Sequence, residues 1–210
     1  MRWYLAARRW WLTVVVAVLV VVTAGVLASA TVGVPRALSG VDFPLPLSVL
    51  APCLVAWLAQ WNMTRGEPDQ EAIAVRTPPA YDLALLGVVV FSQIVAAVIT
   101  MAWVPSAESL MVVRNTMGYI AVGVLVARVV GPVLANLAVM LVPLGCAAFG
   151  ATVTAAGDRE YAWWAWPLHD GSGWTAWVFV AGLGVVASAS MLTRRRPGQL
   201  RASRIRLLIE

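Results

Sequence analysis

The chain has 210 residues, of which 61% are hydrophobic and 12% charged, with a net charge of +5. Soluble domains of this length are about 45–50% apolar and about 25% charged, so an ordinary water-soluble fold is excluded. All fifteen basic residues are arginine, which removes the lysine that a nucleotide-binding P-loop or a Schiff base needs.

Apolar runs of about 18 or more residues with few charges mark transmembrane helices. The first runs from about Leu12 to about Thr31, behind Arg2, Arg8, Arg9 and four aromatic residues. The small residues Ala28–Ala30 suit a signal cleavage site, but the run exceeds the roughly 7–15 residues of a signal core, so an uncleaved helix is expected. A second run, about Leu45 to Trp61, contains Pro52. A neighbouring helix is expected to satisfy the carbonyl that this proline leaves without its N–H.

Residues 62–82 interrupt the apolar pattern with four acids, two arginines and three prolines. Pro68 and the Pro78–Pro79 pair are expected to bracket a short element of about ten residues. Glu67, Asp69 and Glu71 stand near its amino end, where acids suit the helix dipole. The remaining runs are about Leu83–Val104, Leu110–Val130, Pro132–Val153 and Trp174–Leu192. Between the last two lies the aromatic loop 154–173, and beyond Leu192 come Arg194, Arg195 and Arg196.

Arginines flanking spans favour the cytoplasm. With six spans, the amino end, Arg65, Arg76, Arg128 and the carboxyl tail fall on one face, and only Arg36, Arg114 and Arg159 on the other. The expected fold is therefore all-α: a polytopic six-helix transmembrane bundle, one domain over residues 1–210, with both termini cytoplasmic. Segment 62–82 is then cytoplasmic and loop 154–173 extracellular. This placement reads the net charge as topology and excludes nucleic acid as a partner; the lipid bilayer is one.

Small residues let helix backbones approach in lipid. Gly123, Ala127 and Gly131, Ala147 and Ala151, and Gly184 and Ser188 are such positions, expected to pack within the bundle. Cys53 and Cys146 fall in apolar runs and read as buried packing residues rather than a disulfide framework. One histidine excludes multi-histidine metal sites, and no metal is expected.

Arg114 and Arg128 lie on one face of the fourth helix, about 40° and about 21 Å apart. Charges inside spans are functional candidates, although both stand near helix ends, where snorkelling to the interface is the ordinary role. Arg114, next to Asn115, is the better candidate for a substrate path. In the outer loop His169 stands among Asp158, Glu160 and Asp170, but no nucleophile motif accompanies it. Trp163 and Trp166 suit an interfacial segment that touches an amphipathic substrate.

The stretch Glu71–Val90, EAIAVRTPPAYDLALLGVVV, resembles the cytoplasmic coupling region of ABC-2-type transporter permeases. The resemblance assigns Glu71 to the coupling-helix glutamate, Thr77 and Pro78 to a threonine-proline pair, and Asp82 to the polar entry of the third span. It extends to the six-span architecture, the basic aromatic amino end and the aromatic segment before the last span. It implies that Glu67, Asp69, Glu71, Arg76, Thr77, Pro78 and Asp82 meet a separate ABC ATPase subunit, which binds the ATP. It also implies pairing with a second copy or a homologous permease. The chain would be a non-enzymatic, cofactor-free permease of a bacterial cell membrane, exporting a drug, lipid or peptide. Two alternatives stand beside it: a non-transporting assembly or immunity protein of the membrane, and an intramembrane enzyme acting on lipids.

Overall fold

The computed structural model describes residues 9–35, 42–64, 78–153 and 159–193. Among them are six α-helices: α1 (Trp10–Val26), α2 (Leu47–Thr64), α3 (Pro78–Trp103), α4 (Glu108–Val130), α5 (Pro132–Phe149) and α6 (Trp174–Leu192). Each coincides with one of the apolar runs. Four of them, α3 to α6, are long and apolar enough to cross a membrane. α1 is apolar over 17 residues, and α2 closes on the polar residues Gln60, Asn62 and Thr64.

The described residues are mostly helical, as expected, with one addition that the all-α expectation did not include. Two short antiparallel ribbons stand at helix ends: β1 (Thr31–Pro35) with β2 (Asp42–Pro46), and β3 (Ala151–Val153) with β4 (Arg159–Tyr161). Thr31, Val32 and Val34 are β-branched, and Pro35, Pro44 and Pro46, three prolines within twelve residues, disfavour a helix there. The first and fifth helices therefore stop at Val26 and Phe149, short of the expected Thr31 and Val153. The third starts early, at Pro78 rather than Leu83. Proline at the first helical turn has no N–H to lose, so Pro78–Pro79 open α3 rather than merely ending what precedes it.

α4 is the axis of the bundle. It packs against α1, α2, α3, α5 and α6, and 67% of its apolar span is buried, against 22% to 33% for the other three long helices. Around it the order is α5, α2, α1, α3, α6, with at most marginal contact between α5 and α6 among the described residues. The turn from α4 to α5 is made by Gly131, whose φ of +93° suits glycine alone, and by Pro132 at the first position of α5.

The bundle differs from a soluble one in carrying large apolar side chains on its surface as well as in its core. Val88, Phe91, Val98 and Ile99 on α3, Val133, Leu137 and Leu141 on α5, and Val178, Val185 and Val186 on α6 are all exposed. Its interior is mostly apolar, and among those apolar residues it also holds Thr13, Gln60, Asn62, Gln93, Arg114, Asn115 and Thr116. Contiguous apolar surface of this extent suits hydrocarbon rather than water. Interhelical hydrogen bonds tie the buried polar groups: Asn62 Nδ2 donates to Thr13 Oγ1 at 2.5 Å, and Gln93 Nε2 to Thr116 Oγ1 at 3.1 Å. Gly123 meets the Gln60 amide and Val139, as a close-packing residue should, whereas Gly184 faces open space. Cys53 and Cys146 are buried free thiols, as expected.

Candidate functional site

At one end of α4, Arg114 is completely buried. Its Nη1 donates to the Asp170 carbonyl and its Nη2 to the His169 carbonyl, both at 2.6 Å. Nε and Nη2 also reach Asn115 Oδ1 at 3.4 Å. A buried guanidinium is costly unless its N–H groups are engaged, and here they grip the backbone of the aromatic loop. The snorkelling expected of Arg114 is thereby corrected. The loop folds back over the helix end, so the side chain finds carbonyls overhead instead of the interface.

This loop forms a cap. Trp166–Leu168 make one 3₁₀ turn, and Ala165, Trp166, Pro167 and Leu168 are buried. Trp166 stands 5.2 Å from Tyr119, ring centre to ring centre, and lies across Gly118, where any side chain would overlap its indole. Leu168 and Ala165 share a small core with Leu45, Val49, Met111, Cys146 and Ala147. Trp177 Nε1 donates to the Gly171 carbonyl at 2.8 Å, joining the cap to α6. His169 places Nε2 3.1 Å from the Ala162 carbonyl, with its ring tilted against Tyr161. Trp163 is outside the cap's core, exposed and edge-on to Phe179.

Beneath the cap, two helix prolines each free a carbonyl, and each carbonyl finds a side chain. Proline at position i removes the hydrogen bond to the carbonyl at i−4. Pro52 frees Ser48, and Asn115 Nδ2 donates to the Ser48 carbonyl at 3.3 Å while also reaching the Pro167 carbonyl at 3.1 Å. Tyr119 donates its hydroxyl to the next carbonyl, Val49, at 3.0 Å. Pro143 frees Val139, whose carbonyl receives the Cys53 thiol at 3.8 Å. The repair expected for Pro52 is thus present, and α4 supplies it. Asn115, singled out for a substrate path, is a tie between α2, α4 and the cap.

The opposite end of α4 carries a different feature, a cavity of about 520 Å³. Its walls are Gln60, Met63 and Thr64 of α2, Asp82 of α3, Val124, Ala127 and Arg128 of α4, Pro132 of α5 and Met191 of α6. Gln60 and Asp82 are buried, at 2% and 9% exposure. Arg128 is exposed and donates Nη2 to the Ser190 carbonyl of α6. Of the two arginines of α4, Arg128 thus reaches α6 and Arg114 the loop before it.

The structure therefore brings together Arg114, Asn115 and Trp166 at one end, and sets Asp82 near Arg128 at the other. Pro78 opens α3. Glu67, Asp69, Glu71, Arg76 and Thr77 lie outside the described residues, as does Asp158. The cavity walls Gln60, Met63, Thr64, Ala127 and Met191 escaped sequence reasoning. A signal did exist: Gln60 and Asn62 are amides in the last turns of an otherwise apolar run. The chain matches no family model, no curated protein and no solved structure.

Proposed function

We propose that this chain is the membrane-spanning subunit of an ABC-2-type transporter, an exporter driven by ATP bound on a separate ATPase subunit. In this reading all six helices cross the bilayer of a bacterial cell, both termini are cytoplasmic, and residues 65–77 face the ATPase. Two such chains, identical or homologous, form the pathway for a drug, lipid or peptide.

The observation that carries the reading is where the two ends of segment 65–77 attach. The last described residue before it, Thr64, and the nearby Asp82 beyond it both line the 520 Å³ cavity. A pull on the segment therefore acts directly on two walls of a polar cavity, α2 and α3, while α4 supplies the axis they move against. The exposed apolar faces of α3, α5 and α6 suit a bilayer and a second chain equally. The cap, clamped through Arg114, closes the far end of the same axis.

The test is coupling. With the chain and its ATPase reconstituted in vesicles, Glu71→Ala together with Arg76→Ala abolishes the stimulation of ATP hydrolysis and leaves membrane insertion intact. Full wild-type stimulation by the double variant contradicts the assignment.

A further inference from the structure

The buried apolar residues form two clusters, and the boundary between them follows two prolines. The outer cluster holds Leu45 and Val49 around the start of α2, Cys146 and Ala147 near the end of α5, and Ala165 and Leu168 of the cap. α4 adds only Met111 to it, and among the described residues α1, α3 and α6 add none. The inner cluster includes Cys53 of α2 and Val139 of α5, and Val142 touches both clusters. α2 and α5 therefore each pass from one cluster to the other, and each does so at an interior proline, Pro52 or Pro143. Among the described helices no other carries a proline beyond its first turn.

At both points a side chain replaces the backbone hydrogen bond that the proline removes. Asn115 serves the Ser48 carbonyl at 3.3 Å, and the Cys53 thiol serves Val139 at 3.8 Å. Side-chain bonds between membrane helices are weak, and a thiol is a weak donor, so both helices bend here at little cost. Cys53 follows Pro52 directly and reaches the carbonyl that Pro143 frees, so the two joints lie side by side. A body held by two such joints turns about the line through them.

We propose that the outer cluster is a lid, hinged at Pro52 and Pro143, that swings off α6 as one body and uncovers the Arg114 end of α4. The lid comprises residues 45–51, 144–153 and 159–168. Its latch stands on other helices. Arg114 of α4 holds the His169 and Asp170 carbonyls, Trp177 of α6 holds the Gly171 carbonyl, and Trp166 lies across Gly118. Along α6 no helix–helix interface resists the movement: α5 and α6 have at most marginal contact, and the 3₁₀ turn of the cap packs against both. On α4 the lid rests on Met111, whose sulfur receives the Ser48 hydroxyl at 3.4 Å. This inference does not rest on the transporter reading, and holds for any role that needs access to α4 from the cap side.

The test is pulsed electron-spin distance measurement on the full chain in lipid nanodiscs, with C53S and C146A removing the native thiols. C53S keeps a donor for the Val139 carbonyl. Spin labels stand on cysteines at exposed positions: one pair at Phe149 and Val178 spans the lid and α6, and a second at Leu137 and Val185 spans the same helices on the other side of Pro143. R114Q adds a second Phe149–Val178 population, longer by at least about 3 Å, the arc of a bend of about 20° at the roughly 9 Å from Pro143 to Phe149. The Leu137–Val185 distance stays as in the unlatched chain's parent. Restoring both backbone donors, with P52A and P143A added to R114Q, removes the longer population. W177F drops one latch bond and yields a smaller long population, which keeps the test open should R114Q fail to fold. An unchanged Phe149–Val178 distribution in both latch variants overturns the proposal. Equal lengthening of the Leu137–Val185 pair overturns it too, since α5 then moves as one rod, as does a long population that survives P52A with P143A.

Discussion

Asn115 and Pro52 act as a pair, and a double-mutant cycle measures how strongly. Asn115→Leu keeps the volume but removes the donor that reaches the Ser48 carbonyl at 3.3 Å and the Pro167 carbonyl at 3.1 Å. Two buried carbonyls lose their partner, and in an apolar interior each costs about 1–3 kcal/mol. Side-chain hydrogen bonds between membrane helices average only about 0.6 kcal/mol, with a maximum near 1.7 kcal/mol, so a total loss of about 1–3 kcal/mol is expected. Pro52→Ala returns an N–H to α2 within reach of Ser48, so it should compensate for the Ser48 share alone. The interaction term between the two substitutions is then about 1 kcal/mol, with the double variant more stable than the sum of the singles predicts. The assay is unfolding of the full chain in mixed micelles against rising dodecyl sulfate, followed by tryptophan fluorescence. Additivity within about 0.3 kcal/mol refutes the pairing of Asn115 with the proline-freed carbonyl.

Three further outcomes follow from the same geometry. Arg114→Gln loses two charge-assisted bonds to the cap, worth about 1.5–3 kcal/mol each, and regains one neutral bond; a cysteine at Leu168, on a background without Cys53 and Cys146, then reacts at least about tenfold faster with an impermeant maleimide. An unchanged labelling rate contradicts the clamp. Gly118→Ala pushes a methyl into the Trp166 indole and destabilises by about 1–3 kcal/mol, and a compensating Trp166→Leu recovers most of that loss; failure of the rescue in the same unfolding assay argues against the contact. A cysteine at Asp69 reacts with impermeant reagent only after the cells are permeabilised, whereas one at Ser172 reacts in intact cells. The opposite pattern inverts the proposed orientation.

Much of the scaffold was legible because hydrocarbon imposes a simple pattern. Long apolar runs located the six helices, and Pro132 after Gly131 marked the start of α5. Pro52 announced a carbonyl in need of a partner, though not that Asn115 would be the one. The ribbons were harder, since short Thr- and Val-rich runs suit a strand and a helix end equally well. Pro78–Pro79 misled because proline both ends one helix and opens another. Arg114 was placed at the interface by its nearness to a helix end. Nothing local in the sequence says that residues 165–170 fold back over it, because that contact spans more than fifty positions and is decided by tertiary packing. The cavity was hidden for the same reason: its walls come from five helices, and only Asp82, Gln60 and Arg128 are unusual where they stand.

Purification in mild detergent, with the chain tagged in its own cell, tests the central claim most directly. The account predicts that an ATP-hydrolysing subunit comes with it in stoichiometric amount, and that Glu71→Ala with Arg76→Ala releases that subunit without loss of the tagged chain. Recovery of the intact, membrane-inserted chain with no ATPase bound, under conditions that preserve its other partners, contradicts the account.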